Sequence, residues 1–147
     1  MKDTGEAWGA IARATGQGDV RPNSDGFVEM RLQGGVPLYF EEIDAREIEV
    51  SCRVPALGAQ PDAATMRAML AWNAANAPFR LGLEEGRGAL LGRRIDVRTV
   101  DAPEMLRRMG TVAVEAAKLE VAGLDGLPVD PAPQRSAAPA EGDLLRI

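Results

Sequence analysis

From Arg46 to Val54 the chain alternates strictly, with Ile48, Val50, Cys52 and Val54 on one side and Glu47, Glu49, Ser51 and Arg53 on the other. Successive side chains of a strand point to opposite faces, so this run predicts a strand with one buried face. Two earlier runs carry the same period. Over Phe27 to Leu32, Val28, Met30 and Leu32 oppose Phe27, Glu29 and Arg31; over Val36 to Ile43, Val36, Leu38 and Phe40 oppose Pro37, Tyr39 and Glu41. Gly34 with Gly35, then Asp44 with Ala45, supply the turns, and three strands joined so closely form an antiparallel meander.

Elsewhere the period is helical. Residues 4 to 15 place Ala7, Trp8, Ile11 and Ala12 on one stripe, with Thr4 as the expected N-cap and Gly16 as the stop. A second helix opens at Pro61 and Asp62, runs through the helix-forming segment DAATMRAMLAWNAAN and ends at Pro78. Two short strands follow, Phe79 to Leu83 and Ala89 to Val97, joined by the glycine hairpin EEGRG. Asp101 stands three residues before Glu104 with Pro103 in the first turn, a capping-box pattern that opens a third helix. Its stripe is Met105, Met109, Val112, Ala116 and Leu119, and Gly123 stops it. The order α-β-β-β-α-β-β-α predicts an α+β fold, a twisted antiparallel sheet with helices packed against it. Residues 1–127 are read as one domain, and 128–147, rich in proline and alanine, as a flexible tail.

Composition narrows the chemistry. There is no histidine, which removes the commonest metal ligand and the commonest general base near neutral pH. No catalytic residue, cofactor or metal is therefore expected, and the chain is read as no enzyme. Its net charge of -5 opposes binding to nucleic acid or anionic membrane. The N-terminus lacks a signal-like apolar run and no stretch approaches a membrane span, so a cytoplasmic setting is expected.

Other features read as structure. Gly82, Gly86, Gly88 and Gly92 fall where strand follows strand, whereas a dinucleotide fingerprint would need a helix to follow, and so mark a hairpin. Glu41, Glu42, Asp44, Glu84 and Glu85 fall in polar turns and read as solvated carboxylates, while Cys52 on the apolar side of its strand reads as a buried inert thiol. Arg93 and Arg94, with Arg87 and Arg98 nearby, form a small basic area, read as a solvated strand face with contact to an acidic partner segment as the alternative.

The segment MLAWNAANAPFRLGLEEGRGALLGRRIDV, with Leu70, Asn73, Leu81, Gly86 and Leu91, together with the element order, resembles the type III secretion chaperones of the Tir-chaperone or CesT-like family over residues 5 to about 123. The short, alanine-rich first helix and the proline-rich tail depart from that pattern. The resemblance implies a homodimer that binds the N-terminal segment of a secreted effector, keeps it non-globular and delivers it to the secretion apparatus, whose ATPase is a further candidate partner. The alternative is a non-secretory adaptor or regulatory domain of the same fold. Met66, Met69, Leu70, Trp72, Phe79 and Leu81 are the candidate dimer interface, because one short helix cannot bury all of its large apolar residues internally. Trp8, Ile11, Phe27, Tyr39 and Ile43 are the candidate client contacts.

Overall fold

In a computed structural model, residues 1–24, 26–31 and 36–124 are described. The expected tail over 128–147, the expected end of the first strand at Leu32 and the Gly34–Gly35 turn lie outside them. The elements follow in the predicted order: α1 (Thr4–Thr15), β1 (Phe27–Arg31), β2 (Pro37–Glu42), β3 (Glu47–Arg53), α2 (Ala63–Ala75), β4 (Arg80–Glu84), β5 (Gly88–Asp96) and α3 (Ala102–Ala122). Two 3-10 turns, Pro55–Leu57 and Val97–Thr99, are additions that their short lengths hide from any periodicity argument.

The strands make one sheet in the order β1-β2-β3-β5-β4, with antiparallel pairing throughout. β5 inserts beside β3, where Ile48 stands opposite Ile95 and Cys52 opposite Leu91, so the second hairpin extends the meander. In β3 the alternation holds at every position: Ile48, Val50 and Cys52 are buried and their neighbours half-buried. α3 lays Met105, Met109, Val112, Ala116 and Leu119 over β3 and β5. α1 packs beside it, with the Trp8 ring edge-on to Phe40 at 6.3 Å between centroids. Apolar burial at about 25 cal/mol per Å² makes this helix-covered side the main source of stability.

Each helix start has its own carboxylate. Asp3, not Thr4, caps α1, accepting from the Glu6 N–H at 3.1 Å, while Thr4 is buried inside the first turn. Asp62 caps α2 through the Thr65 N–H at 2.7 Å. At α3 the Asp101 carboxylate accepts from the Glu104 N–H at 2.9 Å, but the reciprocal half of the box is missing. The Glu104 carboxylate instead accepts from Arg107 at 2.7 Å and Arg108 at 2.6 Å, and these guanidiniums hold it down to about 2. Charge-assisted bonds to arginine outcompete a single backbone amide.

Cys52 is buried as expected, and burial, with the Glu120 charge second, pushes its thiol up to about 11. The side of the sheet opposite the helices departs more from expectation. Arg87, in the turn between β4 and β5, is buried and folds back over the rings of Phe27 at 4.7 Å and Tyr39 at 4.9 Å. A hairpin arginine thereby ties β1 and β2 to the far end of the sheet.

Beneath it Glu29 faces Tyr39 across the β1–β2 pair, and neither the Glu29 carboxylate nor the Tyr39 hydroxyl has a hydrogen-bond partner. Burial is the main cause that raises the Glu29 carboxyl above its ordinary value, partly offset by Arg31 and Arg87. A carboxyl raised in the folded state contributes most below its unfolded value and loses that contribution as pH climbs through its folded value. Glu29→Gln is therefore expected to gain about 1–2 kcal/mol over the parent near neutral pH and to lose that advantage below pH 4.5. Urea melts of both proteins across this range measure it; parallel stability curves would contradict it.

Candidate functional site

α2 is built mostly from alanine and methionine, and of its thirteen residues only Met69 is buried. The helix packs on β4 through Asn73, whose amide does what a neighbouring strand would do. Its Nδ2 donates to the Leu81 carbonyl at 2.9 Å and its Oδ1 accepts from the Leu81 N–H at 2.6 Å. Both main-chain groups point away from β5, since an antiparallel strand turns its residues alternately toward each side. Asn73→Leu leaves this edge unpaired and is expected to cost about 1–3 kcal/mol. Urea melts together with amide exchange at Leu81 test this, and unchanged protection there would contradict it.

With α2 held in this way, Met66 and Leu70, one turn apart, face outward at 39% and 70% exposure. Leu83, two residues beyond Leu81 on β4, is 48% exposed, and Trp72 and Phe79 are half-buried at the margin of the core. Of the expected interface residues, Met69 and Leu81 instead turn into the chain's own core, with 4% exposure each. On α2 and β4 the exposed large apolar residues are thus Met66, Leu70 and Leu83, with Trp72 and Phe79 half-buried nearby. Leu83 was the unforeseen member, though its two-residue spacing from Leu81 carries the signal.

A second feature lies along α1. A groove of about 760 Å³ runs between this helix, the segment after it and the end of β2, lined by Gly5, Trp8, Gly9, Ala12, Val20 and Glu42 among others. The Trp8 indole N–H donates to the Glu42 carboxylate at 2.7 Å, fixing the ring as one wall. Gly5 and Gly9 bring no side chains of their own to this surface, and the Asp3 carboxylate and the Arg13 guanidinium lie over them, 3.2 Å and 3.4 Å from where a Cβ would stand.

Trp8 is thus the one expected client residue on this groove, and it is only 5% exposed. Ile11, at 1% exposure, is a core residue. Tyr39 is buried at 2% under Arg87, while Phe27 and Ile43 are half-buried. Phe27 and Tyr39 line a separate pocket of about 210 Å³ with Glu41, Glu49 and Glu84. The structure therefore divides four of the five between the groove, the core and the opposite sheet face, and leaves Ile43 half-buried in the turn between β2 and β3.

Among the described residues no group of His, Cys, Asp and Glu is placed to hold a metal ion. No described helix is long and apolar enough to cross a membrane.

No protein-family model and no curated protein matches the sequence. Solved structures do. A chain of the ExsC–ExsE complex superposes with a TM-score of 0.67 at 11% identity, over 84% of this chain and 96% of that one. The Yersinia pestis type III secretion chaperone SycH, in complex with a stable fragment of YscM2, gives 0.59 at 15% identity over 78% and 97%. A chain of the ExoU–SpcU complex from the type III secretion system of Pseudomonas aeruginosa gives 0.56 at 14% identity over 82% and 98%. The five-stranded antiparallel sheet with its three helices is the fold of the type III secretion chaperones.

Proposed function

We propose that this protein is a homodimeric, cytoplasmic type III secretion chaperone with no enzymatic activity, which binds the N-terminal segment of an effector, keeps it non-globular and delivers it to the secretion apparatus. The observation that carries the reading is the extent of the fold match: about four fifths of the chain corresponds to nearly the whole of chaperones crystallised with their partners. Two surface features support it. The apolar face of α2 and β4 is self-complementary in character and serves as the dimer interface. The α1 groove, with its Trp8 wall, receives client segments.

A client held without its own core is bound by patches and main-chain contacts rather than by one deep pocket. Ordering it costs roughly 2–5 kcal/mol or more of the gross interaction energy, so a wide surface is required. A dimer doubles every patch. Energy for export comes from the apparatus, whose ATPase is the expected next partner of the loaded complex.

Co-expression with fragments of an effector encoded nearby tests the reading. The N-terminal fragment is expected to co-purify and the remainder of the effector to pass through. Capture of an intact folded domain, with no retention of the N-terminal fragment, would instead indicate an adaptor of the same fold.

A further inference from the structure

β4 begins at Arg80, opposite Gly92, while β5 runs on through Arg93 and Arg94 to Asp96. Past the start of β4 this leaves a notch beside β5, with Pro78 and Phe79 leading into it. Because neighbouring strand residues point to opposite faces, Arg94 stands on the side away from the helices and Arg93 on the helix side. Both reach the notch, and with Arg80, Pro78, Gly92 and Glu49 they line a pocket of about 220 Å³.

The charges around it do not balance. Arg94 pairs with Glu49 at 3.1 Å and Glu47 at 4.0 Å, Arg80 lies 3.8 Å from Glu49, and Arg107 and Arg108 share Glu104. Five guanidiniums, of Arg80, Arg93, Arg94, Arg107 and Arg108, thus face three carboxylates, of Glu47, Glu49 and Glu104. Arg93 is the one among them without an ion pair to a described residue. Its Nη1 lies 3.4 Å from the Thr111 hydroxyl, its guanidinium sits 5.5 Å over the Phe79 ring, and its buried Nε has no partner. Burial first, then Arg108 and Arg107, weakens its hold on its proton, and the Glu104 charge acts against them.

We propose that this notch binds a carboxylate side chain of an acidic segment in a partner protein, with Arg93 as the receiving guanidinium and Arg80 and Arg94 flanking it. Planar guanidinium forks match carboxylates. Phe79 and Pro78 supply an apolar wall for the stem of a glutamate, a contact that a free inorganic anion could not use. The inference needs only an acidic partner and stands whether or not that partner is a secreted effector.

The probe is a fluorescein-labelled hexaglutamate peptide, titrated with the full chain at low ionic strength and read by fluorescence anisotropy. Saturable binding is expected, weakened about tenfold or more by Arg93→Gln. Lys118→Gln, a change of the same charge at an exposed residue two turns along α3 from Thr111 and paired with Glu115, is expected to alter it less than about twofold. If Arg93→Gln disturbs folding in circular dichroism, Arg80→Gln, on an exposed side chain, is the second variant and is expected to weaken binding about threefold. No saturable binding, or equal weakening by Arg93→Gln and Lys118→Gln, would overturn the site. Displacement of the peptide by inorganic phosphate at the peptide's own concentration would overturn the acidic segment in favour of a small oxyanion.

Discussion

Leu70→Glu is expected to disrupt the proposed dimer and leave a monomer. Leu70 is 70% exposed in the single chain, so glutamate there meets water and leaves the fold intact. In a two-fold interface each substitution appears twice, and a charge trapped without a partner costs about 3–5 kcal/mol. One such charge alone should therefore raise the dissociation constant about a hundredfold to several thousandfold, and the second adds to it. Sedimentation equilibrium reads this directly, with the circular dichroism spectrum unchanged. A variant that still sediments as a dimer at the parent's concentrations would move the interface away from α2. Met66→Glu, on the same face one turn earlier, is a second check on the same surface.

Trp8→Ala tests the opposite kind of residue. Trp8 is 5% exposed, packs edge-on against Phe40 and holds Glu42 through its indole N–H. Removing so large a buried side chain is expected to cost about 3–5 kcal/mol, a sizeable share of the roughly 5–15 kcal/mol that holds a domain together. Urea unfolding followed by circular dichroism measures it, with Trp8→Phe expected to keep much of the lost stability. A loss under about 1 kcal/mol would mean that α1 is not anchored by this residue. Client affinity then has to be compared between the parent and Trp8→Phe, because the alanine variant would confuse a missing groove wall with a loosened helix.

The strands were legible because a half-buried strand writes its own exposure into alternate positions: β3 does so from Glu47 to Arg53 without exception. The α3 stripe was legible for the same reason at helical period. Depth of burial was not. Ile11 and Tyr39 carry the same apolar signature whether a surface patch or a packed layer awaits them, and the structure places both in packed layers. For Tyr39 that layer includes Arg87, an arginine in a hairpin turn, and nothing local foretells that its guanidinium will lie across two rings of distant strands.

The α1 cap shifted by one residue because aspartate and threonine compete for the same role, and Asp3 has the geometry. Asn73 shows a middle case. Its place before a short strand was part of the resemblance, but its paired hydrogen bonds to Leu81 depend on the tertiary approach of α2 to β4. The Arg93 notch likewise emerges only when β4 is seen to stop short of β5.

Amide hydrogen exchange on the chain bound to the N-terminal segment of its effector tests the central proposal most directly. The account predicts that the client's protected amides fall in separate short stretches, with rapid exchange between them and no cooperatively protected core. It also predicts slowed exchange in α1 around Gly5 to Ala12, where the groove lies. A client protected throughout as an independently folded domain, with exchange in α1 unaltered, would contradict it.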